Sequence, residues 1–152
     1  MDKKLVKKEE EIIKDKIIKR SAAGTKIFAE TLGMVISLAV MIYLLPKLPF
    51  ISENYRLWLP VGIYTEIIGY IFKVIKHSVH LNATKRFFEI LNLIVSVYGI
   101  YYLIKIYPFD FGRVGFSETN GFVRFALIVA VFALLFAVLV NFFRIFLPGN
   151  KK

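Results

Sequence analysis

Glu66 is the one acidic residue deep inside a long apolar run, Trp58 to Lys76. Gly62, Glu66, Gly69 and Lys73 follow at intervals of four, three and four, so on a helix they share one face. A carboxyl at that depth is costly and is expected to face a helix-bundle interior or a wet cavity. Two chemistries suit it. One is a proton- or cation-linked site. The other is a neutral, hydrogen-bonded clasp that fixes helix rotation or joins protomers. Matching depth across antiparallel helices puts Ser37, Ser96, Tyr98 and Tyr101 near its level, and these are its expected partners. Lys73 lies two turns away, about 10 Å along the axis, too far to pair directly. It is expected to extend to the headgroups.

Other polar residues carry less. Glu30 stands one turn from Lys26, and Glu89 one turn from Lys85 and Arg86, spacings of solvated ion pairs. His77 and His80 are three apart, but a metal site needs a third or fourth ligand, which the neighbourhood does not supply. The chain spells no Gly-rich phosphate loop, HExxH motif, nucleophile elbow or Ser-His-acid set. Neither an enzyme nor a bound cofactor or metal is expected. With no cysteine, disulfides and thiolate sites are excluded.

The elements that must position Glu66 follow from hydropathy. The 152 residues are 57% hydrophobic, above the level of a soluble domain. The excess falls in four near-continuous apolar blocks of about twenty residues, the length needed to cross a bilayer as helix. The expected spans are 25–45, 57–76, 87–106 and 122–147, giving an all-α four-helix membrane bundle over residues 24–148. Pro46 and Pro49 end the first span and Pro108 the third. Phe50, Tyr55 and Trp58 read as interfacial anchors. Residues 109–121 form the longest connection. Along span four, Ala126, Ala130, Ala133 and Ala137, with Asn141 beyond, make a small-residue face. Against Gly62 and Gly69 it suggests close helix packing or a homo-oligomer seam.

Residues 1–23 form a charged segment. Leu5/Val6, Ile12/Ile13 and Ile17/Ile18 draw a narrow apolar stripe, which suggests an amphipathic helix ended by the small residues Ser21 to Gly24. Its Lys3, Lys4, Lys7, Lys8, Lys14 and Arg20, with Lys73 and Lys76, are expected to contact anionic headgroups of an inner leaflet. A coiled-coil contact is the alternative. Basic residues fix the orientation. Sixteen of the twenty-one Lys and Arg fall on the side holding both termini, including the basic tail 149–152, so both termini are expected in the cytoplasm of a multi-pass cell-membrane protein. This asymmetry accounts for the net charge of +10, and nucleic acid is not an expected partner.

Leu57–Pro60, Lys73/Lys76, Thr84, Asn92 and Pro108-Phe109 give residues 48–112 a pattern that resembles the membrane portion of small bacterial PadR-associated (HAAS-type) signalling proteins. That resemblance implies a signalling role, although the soluble N-terminal domain of those proteins is replaced here by the charged segment. Ala29-Glu30-x-x-Gly33 resembles the first span of small multidrug resistance transporters, whose Glu binds protons and cationic drugs. The chain lacks that family's Trp-bearing third span, and the activity is not carried over. The leading expectation is a non-catalytic scaffold or partner subunit that self-associates or joins a larger membrane complex. The rivals are an oligomeric channel or proton-coupled transporter using Glu66, and recruitment of an acidic partner by the N-terminal segment.

Overall fold

The structure is a computed structural model that describes residues 3–79 and 81–146, with side chains for Lys14, 21–79 and 81–145. It is all-helical. Four helices, α1 (Lys3–Ala39), α2 (Tyr55–Ser78), α3 (Asn82–Ile106) and α4 (Thr119–Phe146), run in chain order. The stretches Ser21–Lys47, Tyr55–Ser78, Asn82–Ile106 and Thr119–Ile145 are each long and apolar enough to cross a membrane. These four stretches overlie the expected spans; the first three reach beyond them, and the fourth begins earlier, at Thr119. Their shared basic end holds the α2–α3 turn and the C-terminus of α4. The opposite end holds the two longer connections.

One expectation is corrected. The break at Ser21–Gly24 is absent, and α1 is one helix of 37 residues, about 55 Å long. Ala22 and Ala23 are strong helix formers, and one Gly costs only about 1 kcal/mol, too little to interrupt a helix carried on both sides. The four helices pack as an open array. α2 packs most extensively on α3, α3 on α4, and α1 less extensively on α2, while α1 and α4 share no comparable interface. The array leaves large apolar faces of α1 and α4 exposed, among them Phe28, Tyr43, Phe122, Phe132 and Phe136.

The tight packing is at the loop end. Met41, Ile51, Tyr55 and Tyr107 are buried there, and Pro108 is the one fully buried large side chain among the described residues. Ile51 and Phe109 pair as an antiparallel bridge, with Ser52 N–H donating to the Pro108 carbonyl at 2.8 Å and Asp110 N–H to the Phe50 carbonyl at 2.7 Å. Phe50 stacks on Phe111 at 4.9 Å. Tyr107 closes α3 in the left-handed region, at φ 43°, a costly conformation for a non-glycine residue. Three contacts hold it. Its N–H donates to the Leu103 carbonyl, its hydroxyl donates to the Asn120 carbonyl at 2.7 Å, and the Arg124 guanidinium lies 4.2 Å over its ring. The 109–121 connection is not irregular throughout. It holds a 3-10 turn, Phe111–Val114, and gives its last residues to α4.

Between Ala39 and Pro46 the helix widens into a π-turn, Val40–Leu44. Proline explains it. Pro46 has no N–H, and its ring would crowd the carbonyl four residues back. Leu45 N–H turns instead to the Val40 carbonyl. That leaves the Met41 carbonyl without a backbone donor, and the Tyr55 hydroxyl supplies one at 2.6 Å. Tyr55 is 4% exposed, so it is a buried cap rather than the interfacial anchor expected.

Candidate functional site

Glu66 lies halfway along α2, eleven residues past Tyr55 and twelve before Ser78. It faces a cavity of about 230 Å³ between α1, α2 and α3. Ser37 and Met41 form one wall, Ser96, Gly99, Ile100 and Leu103 the other, and Trp58, Gly62, Thr65 and Glu66 the floor. α4 contributes nothing. The cavity is not enclosed, and forms an open groove.

Two glycines give the groove its depth. A Cβ on Gly62 would sit 2.7 Å from the outer edge of the Trp58 ring, so the indole abuts the glycine. A Cβ on Gly99 would come within 3.2 Å of the Thr65 hydroxyl. Gly69 serves packing outside the groove, where its Cβ would stand 3.0 Å from Asn92 Oδ1.

The polar groups of the groove are unevenly occupied. Thr65 donates to the Gly62 carbonyl at 3.0 Å and Ser96 to the Asn92 carbonyl at 3.0 Å, both within their own helices. Among the described residues nothing hydrogen-bonds or pairs with Glu66. The Trp58 indole N–H is buried and without an acceptor. A half-buried carboxyl and a buried donor both hold unspent hydrogen-bonding capacity, which apolar surroundings make costly.

Ser37 and Ser96 line the same groove as Glu66, but neither hydrogen-bonds its carboxyl. Tyr98 and Tyr101 do not line it. Their rings are 51% and 53% exposed and pack around Tyr102 on the far face of α3. The Ala stripe also divides. Ala130 and Ala137 turn inward and Ala126 and Ala133 outward, while Asn141 donates to the Ala137 carbonyl of its own helix. Among the described residues it bridges no other helix.

The charged groups at the basic end are cross-linked between helices. Glu30 on α1 takes Lys73 of α2 at 3.4 Å on one carboxylate oxygen and faces His77 Nε2 at 3.8 Å with the other. Lys76 reaches Glu89 of α3 at 3.5 Å. These replace the expected pairs with Lys26 and with Lys85 and Arg86, and they engage the two α2 lysines, Lys73 and Lys76, that are among those assigned to headgroups. One turn deeper, the Tyr70 and Thr31 hydroxyls lie 2.8 Å apart. Thr31 also bonds the Ile27 carbonyl, so its single proton is committed there and Tyr70 donates. Arg86 donates to the Arg144 carbonyl in the last turn of α4, where a cation suits the helix dipole. Lys14 is exposed. The side chains of Lys3, Lys4, Lys7, Lys8 and Arg20, and all of His80, lie outside the described residues.

What sequence reasoning missed was mostly readable only in pairs. A signal for Glu30–Lys73 existed, since both sit about one turn inside the same end of adjacent helices. Trp58 and Gly62 are one turn apart on one face, a spacing that lets an indole abut a glycine.

No protein family, characterised protein or solved structure matches the chain.

Proposed function

We propose that this chain is a non-catalytic, self-associating membrane subunit that pairs with a second copy through the Glu66 groove. The carrying observation is the unpartnered Glu66 carboxyl in an open groove. Hydrocarbon is a poor filling for such a groove, because it offers neither donor nor acceptor. Copies in one bilayer share an orientation, so a twofold axis runs along the membrane normal and sets groups of equal depth face to face. Glu66 then meets the Ser37 or Ser96 hydroxyl of its copy, and the glycine floor allows the backbones to approach. The basic end faces the cytoplasm, by the distribution of Lys and Arg.

The test is association in bilayers, read by energy transfer between labelled copies. Glu66→Gln keeps donors and acceptors of the same shape and should retain pairing. Glu66→Leu should weaken it about five- to thirtyfold, the equivalent of about 1–2 kcal/mol for an intramembrane hydrogen bond. Equal association of all three, or a monomeric wild type, removes the proposal.

A further inference from the structure

The two ends of the array are built differently. Five of the six most buried large side chains (Met41, Ile51, Tyr55, Tyr107 and Pro108) lie at the loop end, directly above the groove. Trp58 and Met41 line the groove, and buried Tyr55 touches both, packing on the Trp58 ring and donating to the Met41 carbonyl. Among the described residues the basic end has a single comparably buried large side chain, Ile90. It is held instead by partly exposed ion pairs and by the Tyr70–Thr31 hydrogen bond. On α2 the positions 66, 70, 73 and 77 follow at four, three and four. A polar face therefore runs from the groove to the basic end along the seam with α1. No such face runs the other way, where Gly62 and Trp58 follow Glu66.

We propose that Glu66 is a proton-binding site served from the basic end alone. The O–H bond of its carboxyl breaks, the electron pair stays on the carboxylate oxygen, and the proton leaves on water that reaches the groove along the α1–α2 seam. No charged or titratable side chain of α1 or α3 lines the groove, and α4 does not reach it. The next titratable groups on the polar face are Tyr70, then Lys73 and His77 with Glu30 opposite. The route concerns access and not pairing. It serves one copy or two facing copies, and its test reads reagent entry rather than association.

The cysteine-free sequence makes that test clean. Ser37→Cys places one thiol on the groove wall. The full chain is reconstituted in vesicles with the basic end outside or inside. It is then treated with membrane-impermeant cationic and anionic methanethiosulfonates. Reagent on the basic side should modify the thiol at least tenfold faster than reagent on the other side. The cationic-to-anionic rate ratio reports the charge of Glu66. It should rise at least about threefold with pH on the basic side, the scale of one unit charge a few ångströms away. Changing pH on the opposite side should leave it flat, as should adding Glu66→Gln. Ser96→Cys on the facing wall gives the same readout should Ser37→Cys fold poorly. Modification from the opposite side at similar rate, no modification from either side, or an unchanged pH response in the Glu66→Gln background would each overturn the proposal.

Discussion

The Tyr55 hydroxyl stands in for a backbone donor that Pro46 lacks, meeting the Met41 carbonyl at 2.6 Å. The pair joins the end of the first span to the start of the second across fourteen residues. Both partners are buried, so the hydrogen bond has no water to replace it. Tyr55→Phe should therefore cost about 1–3 kcal/mol of unfolding free energy, the usual penalty of a stranded buried acceptor. Pro46→Ala returns an N–H at the right place, and in that background the loss from Tyr55→Phe should shrink. Denaturant unfolding of the four proteins of this cycle measures it. Tyr43→Phe, on the exposed face, is the control and should change nothing measurable.

The single tryptophan reports on the groove floor. In Gly62→Ala the new methyl meets the Trp58 ring at 2.7 Å, and the indole must move. The substitution should shift the fluorescence emission and cost about 1–3 kcal/mol, as overpacking does. Gly24→Ala meets nothing within 4 Å in α1 and should be neutral or mildly stabilising. A Gly62→Ala protein with unchanged emission and stability would show that Trp58 does not abut Gly62.

Burial pushes the Tyr107 phenol above its ordinary pKa, while the positive charge of Arg124 pulls it part of the way back. The raised value means the folded state favours the neutral phenol. Its contribution is fully present below pH about 10 and is lost as pH rises through the higher folded value. The loop end should loosen above that pH. Amide exchange of Ser52 and Asp110, the two donors of the bridge, should rise in wild type more steeply than intrinsic exchange requires. Tyr107→Phe should remove that extra dependence.

Lys73 and Glu30 are partly exposed, so the pair contributes little by itself, about 0–1 kcal/mol. Its geometry is more informative than its strength. Lys73→Glu should set two carboxylates against each other and weaken the α1–α2 seam. Adding Glu30→Lys should restore it. Recovery in the double variant, read by thermal unfolding, checks the cross-helix assignment. If Glu30 paired with Lys26 instead, the double variant would gain nothing over the single one.

The features legible in sequence were those that depend on one helix at a time. Twenty-residue apolar blocks give spans because a bilayer has a fixed thickness. Rise per residue gives depth, and depth alone brings Ser37 and Ser96 to the groove that Glu66 lines. Rotation about the helix axis was not legible. α3 is apolar nearly all round, so hydropathy could not tell that Ser96 faces the groove while Tyr98 and Tyr101 turn away. The same ambiguity divided the Ala stripe of α4. Tyr55 was misread because its role depends on a carbonyl fourteen residues earlier, orphaned by a proline that the sequence shows only as a helix stop. The bridge of Ile51 and Phe109 joins residues 58 apart and leaves no local trace.

Pairing through the groove makes a geometric demand that one measurement meets directly. Under a twofold axis the α1 wall of one copy faces the α3 wall of the other, so position 37 of one copy lies near position 96 of its partner. Mixed populations of Ser37→Cys and Ser96→Cys chains, treated in bilayers with a short bifunctional thiol reagent, should yield a 37–96 cross-linked dimer. Val129→Cys and Phe132→Cys, on the exposed face of α4, should yield none. Cross-links through α4 with none between 37 and 96 would contradict the account and move the association surface away from Glu66.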